Sequence, residues 1–166
     1  MQRTTATYRD GLVVGLIAYA SVAAFYSIFD GLAARGALFT GDLLGKAVFR
    51  GLRDPSVLQY PIQPDVTAML LYNAVHLVIS LAIGLIVVRL VGEAERRPAR
   101  ALPVLFVIVA GFVVTVAVVG YLTEPMRAVM PWWTIVAANG FATLFAGAYL
   151  LRRRPGVWGI LVPFGG

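Results

Sequence analysis

The sequence predicts an all-α membrane protein: four transmembrane helices in a bundle, both termini cytoplasmic, plus one amphipathic interfacial helix between the first and second spans. Three observations lead there. The chain is 60% hydrophobic and only 13% charged, against about 25% charged in soluble domains. Its mean hydropathy is +0.83. Its apolar residues fall into four runs, each bounded by charged or proline-containing turns. At ~1.5 Å per residue, each run is long enough for a hydrocarbon core of ~30 Å. The 166 residues form a single transmembrane domain.

Gly11 to Phe29 is the first span, after a short polar start holding Arg3 and Arg9. A basic start, an apolar run and Ala18-Tyr19-Ala20 also resemble a signal peptide with its cleavage site. The apolar run continues past that site to Phe29, which favours a retained helix. Asp30 to Asp65 connects the first two spans. Within it, Asp42, Lys46 and Arg50 are four apart, with Leu43, Leu44, Ala47 and Val48 on the other side. Thr40 can cap this segment, and Asp42 with Lys46 is a favourable pair. The pattern predicts a helix over about 41–53, lying on the membrane surface, on a partner, or as a cover over the bundle end. Pro55, Pro61 and Pro64 make an extended return.

Val66 to Val91 is the second span and contains His76, the only histidine in the chain. A charged turn with Glu93, Glu95, Arg96, Arg97 and Arg100 follows. Pro103 suits the first turn of the third span, 102–122, whose one polar side chain is Thr115. A short loop with Glu124 and Arg127 leads to Trp132 and Trp133, placed where an aromatic belt belongs. They open the fourth span, 132–151, which Arg152, Arg153 and Arg154 close. The apolar tail 155–166 is too short to span.

Orientation follows from lysine and arginine. With four spans, the side of the termini holds Arg3, Arg9, Arg89, Arg96, Arg97, Arg100, Arg152, Arg153 and Arg154. The other holds Arg35, Lys46, Arg50, Arg53 and Arg127. The imbalance puts both termini in the cytoplasm and the protein in the inner (plasma) membrane. The same placement explains the net charge of +6 without nucleic acid.

The second and fourth spans align at a shift of 63, which pairs His76 with Asn139, Ser80 with Thr143, Gly84 with Gly147, and Arg89 with Arg152. Residues four apart share a helix face, so each span carries a polar residue, a hydroxyl and a glycine along one seam. Gly11 and Gly15 form a GxxxG at the start of the first span, a common pattern associated with close helix packing.

His76 lies roughly ten residues into its helix, near mid-membrane, where an ionisable group is a functional candidate. It admits several roles. It can bond another helix, with Asn139, Ser21, Tyr19 or Thr115 at similar depth. It can ligate a haem iron or chlorophyll magnesium. It can relay protons, although no acid lies inside a span, or contact a lipid or quinone head group. The intramembrane polar cluster is Tyr19, Ser21, Asn73, His76, Ser80 and Asn139, and Tyr72 shares a stripe with His76. Arg152, Arg153 and Arg154 form a candidate lipid-binding triplet.

Absent cysteine excludes disulfides, thiolate metal sites and cysteine nucleophiles. No Walker loop, GxSxG, HExxH or acidic pair occurs. The expectation is therefore not an enzyme. It is a small non-catalytic integral-membrane subunit that packs within or stabilises a larger inner-membrane complex, with lipid and other membrane subunits as partners. The alternatives are a haem- or chlorophyll-binding subunit using His76, and a small transporter or channel with a polar path at His76 and Asn139.

Overall fold

The structure is a computed structural model that describes residues 2–51, 63–156 and 159, with backbone alone for 2–7. The described residues form helices and no strands: α1 (Gln2–Leu32), α2 (Phe39–Phe49), α3 (Val66–Arg96), α4 (Ala101–Leu122) and α5 (Trp132–Arg153). Single 3₁₀ turns at Pro98–Arg100 and Glu124–Met126 precede α4 and α5. Four helices are long and apolar enough to cross a membrane, covering 8–32, 66–96, 98–122 and 132–153. The predicted spans all lie inside them. The proline-rich return between Arg53 and Pro61 lies outside the described residues, as does most of the apolar tail.

α1 is the hub. It packs along α3 on one side and α5 on the other, while α2 covers the N-terminal half of α3. The α1–α3 seam is built from missing side chains. A Cβ on Gly15 would meet the backbone of Leu81 and Ser80 at 2.6 Å, and one on Gly11 would meet Leu85 at 2.8 Å. From the opposite side, a Cβ on Gly84 would collide with the backbone of Gly11 and Gly15. Between helices surrounded by lipid tails, attraction comes from close van der Waals packing, so glycine faces that let backbones touch supply it. The GxxxG thus brings the α1 and α3 backbones into direct contact, and its counterpart is Gly84.

The seam does not recur in the second half. Gly147, paired with Gly84 by the shift of 63, has open space around it. Ser80 is buried, whereas Thr143 makes an exposed bond to the Asn139 carbonyl of its own helix. The matched residues therefore sit in different environments.

α1 ends in a Schellman turn. The Arg35 N–H bonds the Asp30 carbonyl and the Ala34 N–H bonds that of Gly31, with Ala34 left-handed at φ 54°. That geometry folds Arg35 back over the helix it has just left. α2 runs over 39–49, two residues earlier than predicted at its start and shorter at its end. Arg50 caps it and Gly51 turns the chain at φ 68°.

The charged face of α2 does not look outward. Lys46 donates to Asp42 at 2.6 Å and to the Gln63 carbonyl at 2.7 Å, and the Asp65 N–H donates to Asp42 at 2.7 Å. Arg50 reaches Asp65 at 2.8 Å, and Asp65 caps α3 by accepting from the Ala68 N–H. The four-residue spacing of these charges, read from sequence as the polar face of an interfacial or covering helix, clamps α2 to the start of α3. On the inner side, Phe39, Leu43, Leu44 and Ala47 pack with Met126 and Met130 from the α4–α5 loop. Gly45 lies directly on the Ala68 backbone.

The clamp carries a pH dependence. The hydrogen bond from Arg50, and then the Ala68 N–H, hold the Asp65 carboxyl below its ordinary range. A depressed carboxyl stabilises the fold above its unfolded pKa, and that contribution disappears as pH falls through the lower folded value. Asp65→Asn keeps the capping oxygen and removes the charge. It is expected to melt below wild type at neutral pH, with the gap closing once pH falls below ~4. Helical circular dichroism in detergent checks this. A gap undiminished at pH 3 would assign the effect to something other than the carboxylate.

Candidate functional site

Two polar centres sit at opposite ends of the bundle, and one pocket opens beside the first. At the end away from the termini, Asp30 is fully buried. Its carboxylate accepts from the Thr40 N–H at 2.7 Å, the Thr40 hydroxyl at 2.8 Å and Arg35 at 3.0 Å. Arg35 also donates to the Val129 carbonyl at 2.6 Å, and its guanidinium lies over the rings of Phe29 and Phe39. One carboxylate and one guanidinium therefore join the end of α1, the start of α2 and the α4–α5 loop. Beside them Arg127 donates to the Gly120 carbonyl and stacks on Trp132, whose ring covers Gly120. Trp133 meets Phe29 edge-on at 5.5 Å.

At the end of the termini, Asp10 is buried within reach of the Tyr149 hydroxyl and Arg154, both at 3.4 Å. Arg154 also holds Glu95 at 2.6 Å, and Arg153 lies 3.7 Å from Asp10. In the proposed lipid-binding triplet, Arg154 is thus engaged with carboxylates of α1 and α3. Arg153 shares Asp10, and Arg152 is exposed.

The pocket lies between α1, α2 and α3 and has a volume of about 120 Å³. α1 contributes Val22, Ala23, Tyr26, Ser27 and Asp30; α2 and the turn before it contribute Ala37, Leu38, Thr40, Gly41 and Leu44; α3 contributes Met69, Tyr72, Asn73 and His76. On α3 the spacing 69, 72, 73, 76 is one helical face, so the pocket runs along two turns of that helix.

The structure brings together part of the predicted cluster. The Tyr19 hydroxyl donates to Asn73 at 3.1 Å, and Asn73 donates to the Met69 carbonyl. The Tyr19 and Tyr72 rings lie 5.2 and 5.9 Å from the imidazole of His76. Tyr19, Asn73 and His76 thus form one group, with Tyr72 completing it. Ser21 bonds the Ile17 carbonyl of its own helix, and Ser80 is buried at the Gly15 contact. Asn139 donates to the Ile135 carbonyl, and Thr115 to that of Gly111. The partners expected for His76 are therefore bonded elsewhere. Among the described residues no hydrogen bond is made to its ring, which is half-buried.

Sequence reasoning missed Asp30, Thr40 and Arg35 as one unit and Tyr26 as a pocket wall. An available signal was the carboxylate at the end of an apolar run, five residues before an arginine. Among the described residues no group of three histidine, cysteine, aspartate or glutamate side chains could hold a metal ion. Comparison of the chain with family models, with curated proteins and with solved structures gives no match.

Proposed function

We propose that the chain is a small non-catalytic subunit of a larger complex in the inner (plasma) membrane. In this reading both termini are cytoplasmic, and α2 sits at the opposite interface. The orientation follows the excess of arginine at the end of the termini. The observation that carries the subunit role is the middle of α4. That helix is buried at Ala101 and Val104 near its start, and at Val116 and Gly120 near its end. None of residues 105–115 is buried. The stretch is apolar except for Thr115, with Phe106 and Val113 strongly exposed.

Between its two buried ends the span is only partly covered, with Ile108 packed on the bundle, and it keeps unused packing surface at the depth where helix association depends on packing. The charged groups support the same reading. Asp10, Asp30, Asp42 and Asp65 are each bound within the chain, so they stiffen the bundle. An apolar flank on a stiff scaffold suits a protein that fills a place between other helices.

The absence of cysteine makes a direct test simple. Single cysteines at Val109 and Val113 on α4, and at Val78 on α3 as a comparison, can carry a thiol-linked photo-crosslinker in native membranes. The expected result is one adduct of defined mass from both α4 positions, containing the same partner, and none from Val78. A monomer retaining only lipid in native mass spectrometry, with no α4 adduct, would overturn the proposal.

A further inference from the structure

The pocket between α1, α2 and α3 holds donors that the bundle does not use. Asp30, Thr40 and Asn73 spend their polar atoms on protein partners. His76 and the Tyr72 hydroxyl make no hydrogen bond to any described residue, although both line the pocket. An imidazole N–H and a phenol O–H are donors, so they suit acceptor oxygens on a ligand. The one carboxylate in the wall is paired with Arg35, so the site offers no free charge and suits an uncharged ligand. About 120 Å³ is the scale of a single six-membered ring, since a cavity of roughly 150 Å³ takes up benzene. A tetrapyrrole is several times larger. Apart from Tyr26 and Ser27, the other described lining residues are apolar, and Leu38 among them is 62% exposed, which suits an apolar tail.

We propose that this pocket binds the ring of a quinone-type membrane amphiphile, with His76 and Tyr72 donating hydrogen bonds to its carbonyl oxygens. The proposal concerns binding and does not depend on the subunit role. The ester carbonyls of a phospholipid offer the same acceptor chemistry, and the test separates the two.

Full-length protein in phosphatidylcholine nanodiscs is titrated with decyl-ubiquinone, with binding corrected for partition into empty nanodiscs. Wild type is expected to bind one quinone per chain saturably. His76→Ala and Tyr72→Phe each remove one donor and should weaken binding about fivefold. Gly41→Leu places a side chain in the pocket and should abolish binding; its Cβ would meet Asn73 and Met69 at an ordinary 3.7 Å. Asn139→Leu, on α5, should leave affinity unchanged. Because the His76 ring makes no hydrogen bond to any described residue, His76→Ala remains informative even if Gly41→Leu proves unstable. Non-saturable uptake by wild type, or equal affinity in wild type and His76→Ala, would overturn the proposal. So would phospholipid retained one per chain through purification, lost in His76→Ala and not displaced by quinone.

Discussion

Gly84→Leu is expected to disrupt the α1–α3 seam and to lower stability by more than any substitution at an exposed position. Overpacking a well-filled interior typically costs about 1–3 kcal/mol, and occasionally more. Those values describe side chains that can shift against other side chains. At Gly84 the obstacle is the backbone of Gly11 and Gly15, which cannot rotate away. Relief requires the two helices to separate along their length, with loss of the contacts on either side. Gly15→Ala tests the same contact with one methyl group, which would lie 2.6 Å from Leu81 Cα and the Ser80 carbonyl oxygen. The comparison is Gly147→Leu, which enters open space and should fall within about 0.5 kcal/mol of wild type. Unfolding in mixed detergent micelles, followed by helical circular dichroism, measures all three. Equal effects at Gly84 and Gly147 would show that the seam does not hold the bundle together.

That contrast marks what could be read from the sequence. The spans were legible because a bilayer imposes coarse demands: enough apolar length, few charges, and polar turns at the ends. Val66, Leu122 and Trp132 follow from those demands alone. Which way each helix faces does not. Gly84 and Gly147 occupy matching places in two similar helices, yet a side chain on one would strike α1 and on the other would meet no described residue. Depth alone put Asn139, Ser21 and Thr115 beside His76. Each instead bonds the carbonyl four residues earlier in its own helix, an option open to any short polar side chain in a helix. Tyr72 meets His76 because it lies one turn away on the same helix, whereas Tyr19 meets it because α1 and α3 are drawn together by their glycines. The imidazole's surroundings are thus in part a consequence of packing elsewhere in the seam. α2 was legible as a helix from its periodicity. Its charged face found partners in Gln63 and Asp65, at the end of a proline-containing return whose path no local pattern encodes.

Asp30→Ala is the second substitution expected to be severe. The carboxylate is fully buried and accepts from Thr40 twice and from Arg35 once. Removing one member of a buried ion pair typically costs about 3–5 kcal/mol, because the other charge is left without compensation. Arg35 is still 13% exposed at its side chain, which places the expectation at the lower end of that range. The loss should also be structural. Without Asp30, Arg35 retains the Val129 carbonyl and two aromatic rings, while the Thr40 N–H at the start of α2 loses its acceptor. Loosening should therefore spread from the α1–α2 turn into α2 and the α4–α5 loop and leave the glycine seam intact. Hydrogen exchange in detergent would show it as lost protection over 39–49 and 123–131, with 80–88 unchanged. Arg35→Leu combined with Asp30→Leu separates the two terms. If the uncompensated charge dominates, the double variant recovers part of the loss despite the orphaned Thr40 N–H, since an apolar pair removes both buried charges. A double variant as unstable as Asp30→Ala would place the energy in the Thr40 hydrogen bonds. The carboxylate would then act chiefly as the cap that fixes where α2 begins.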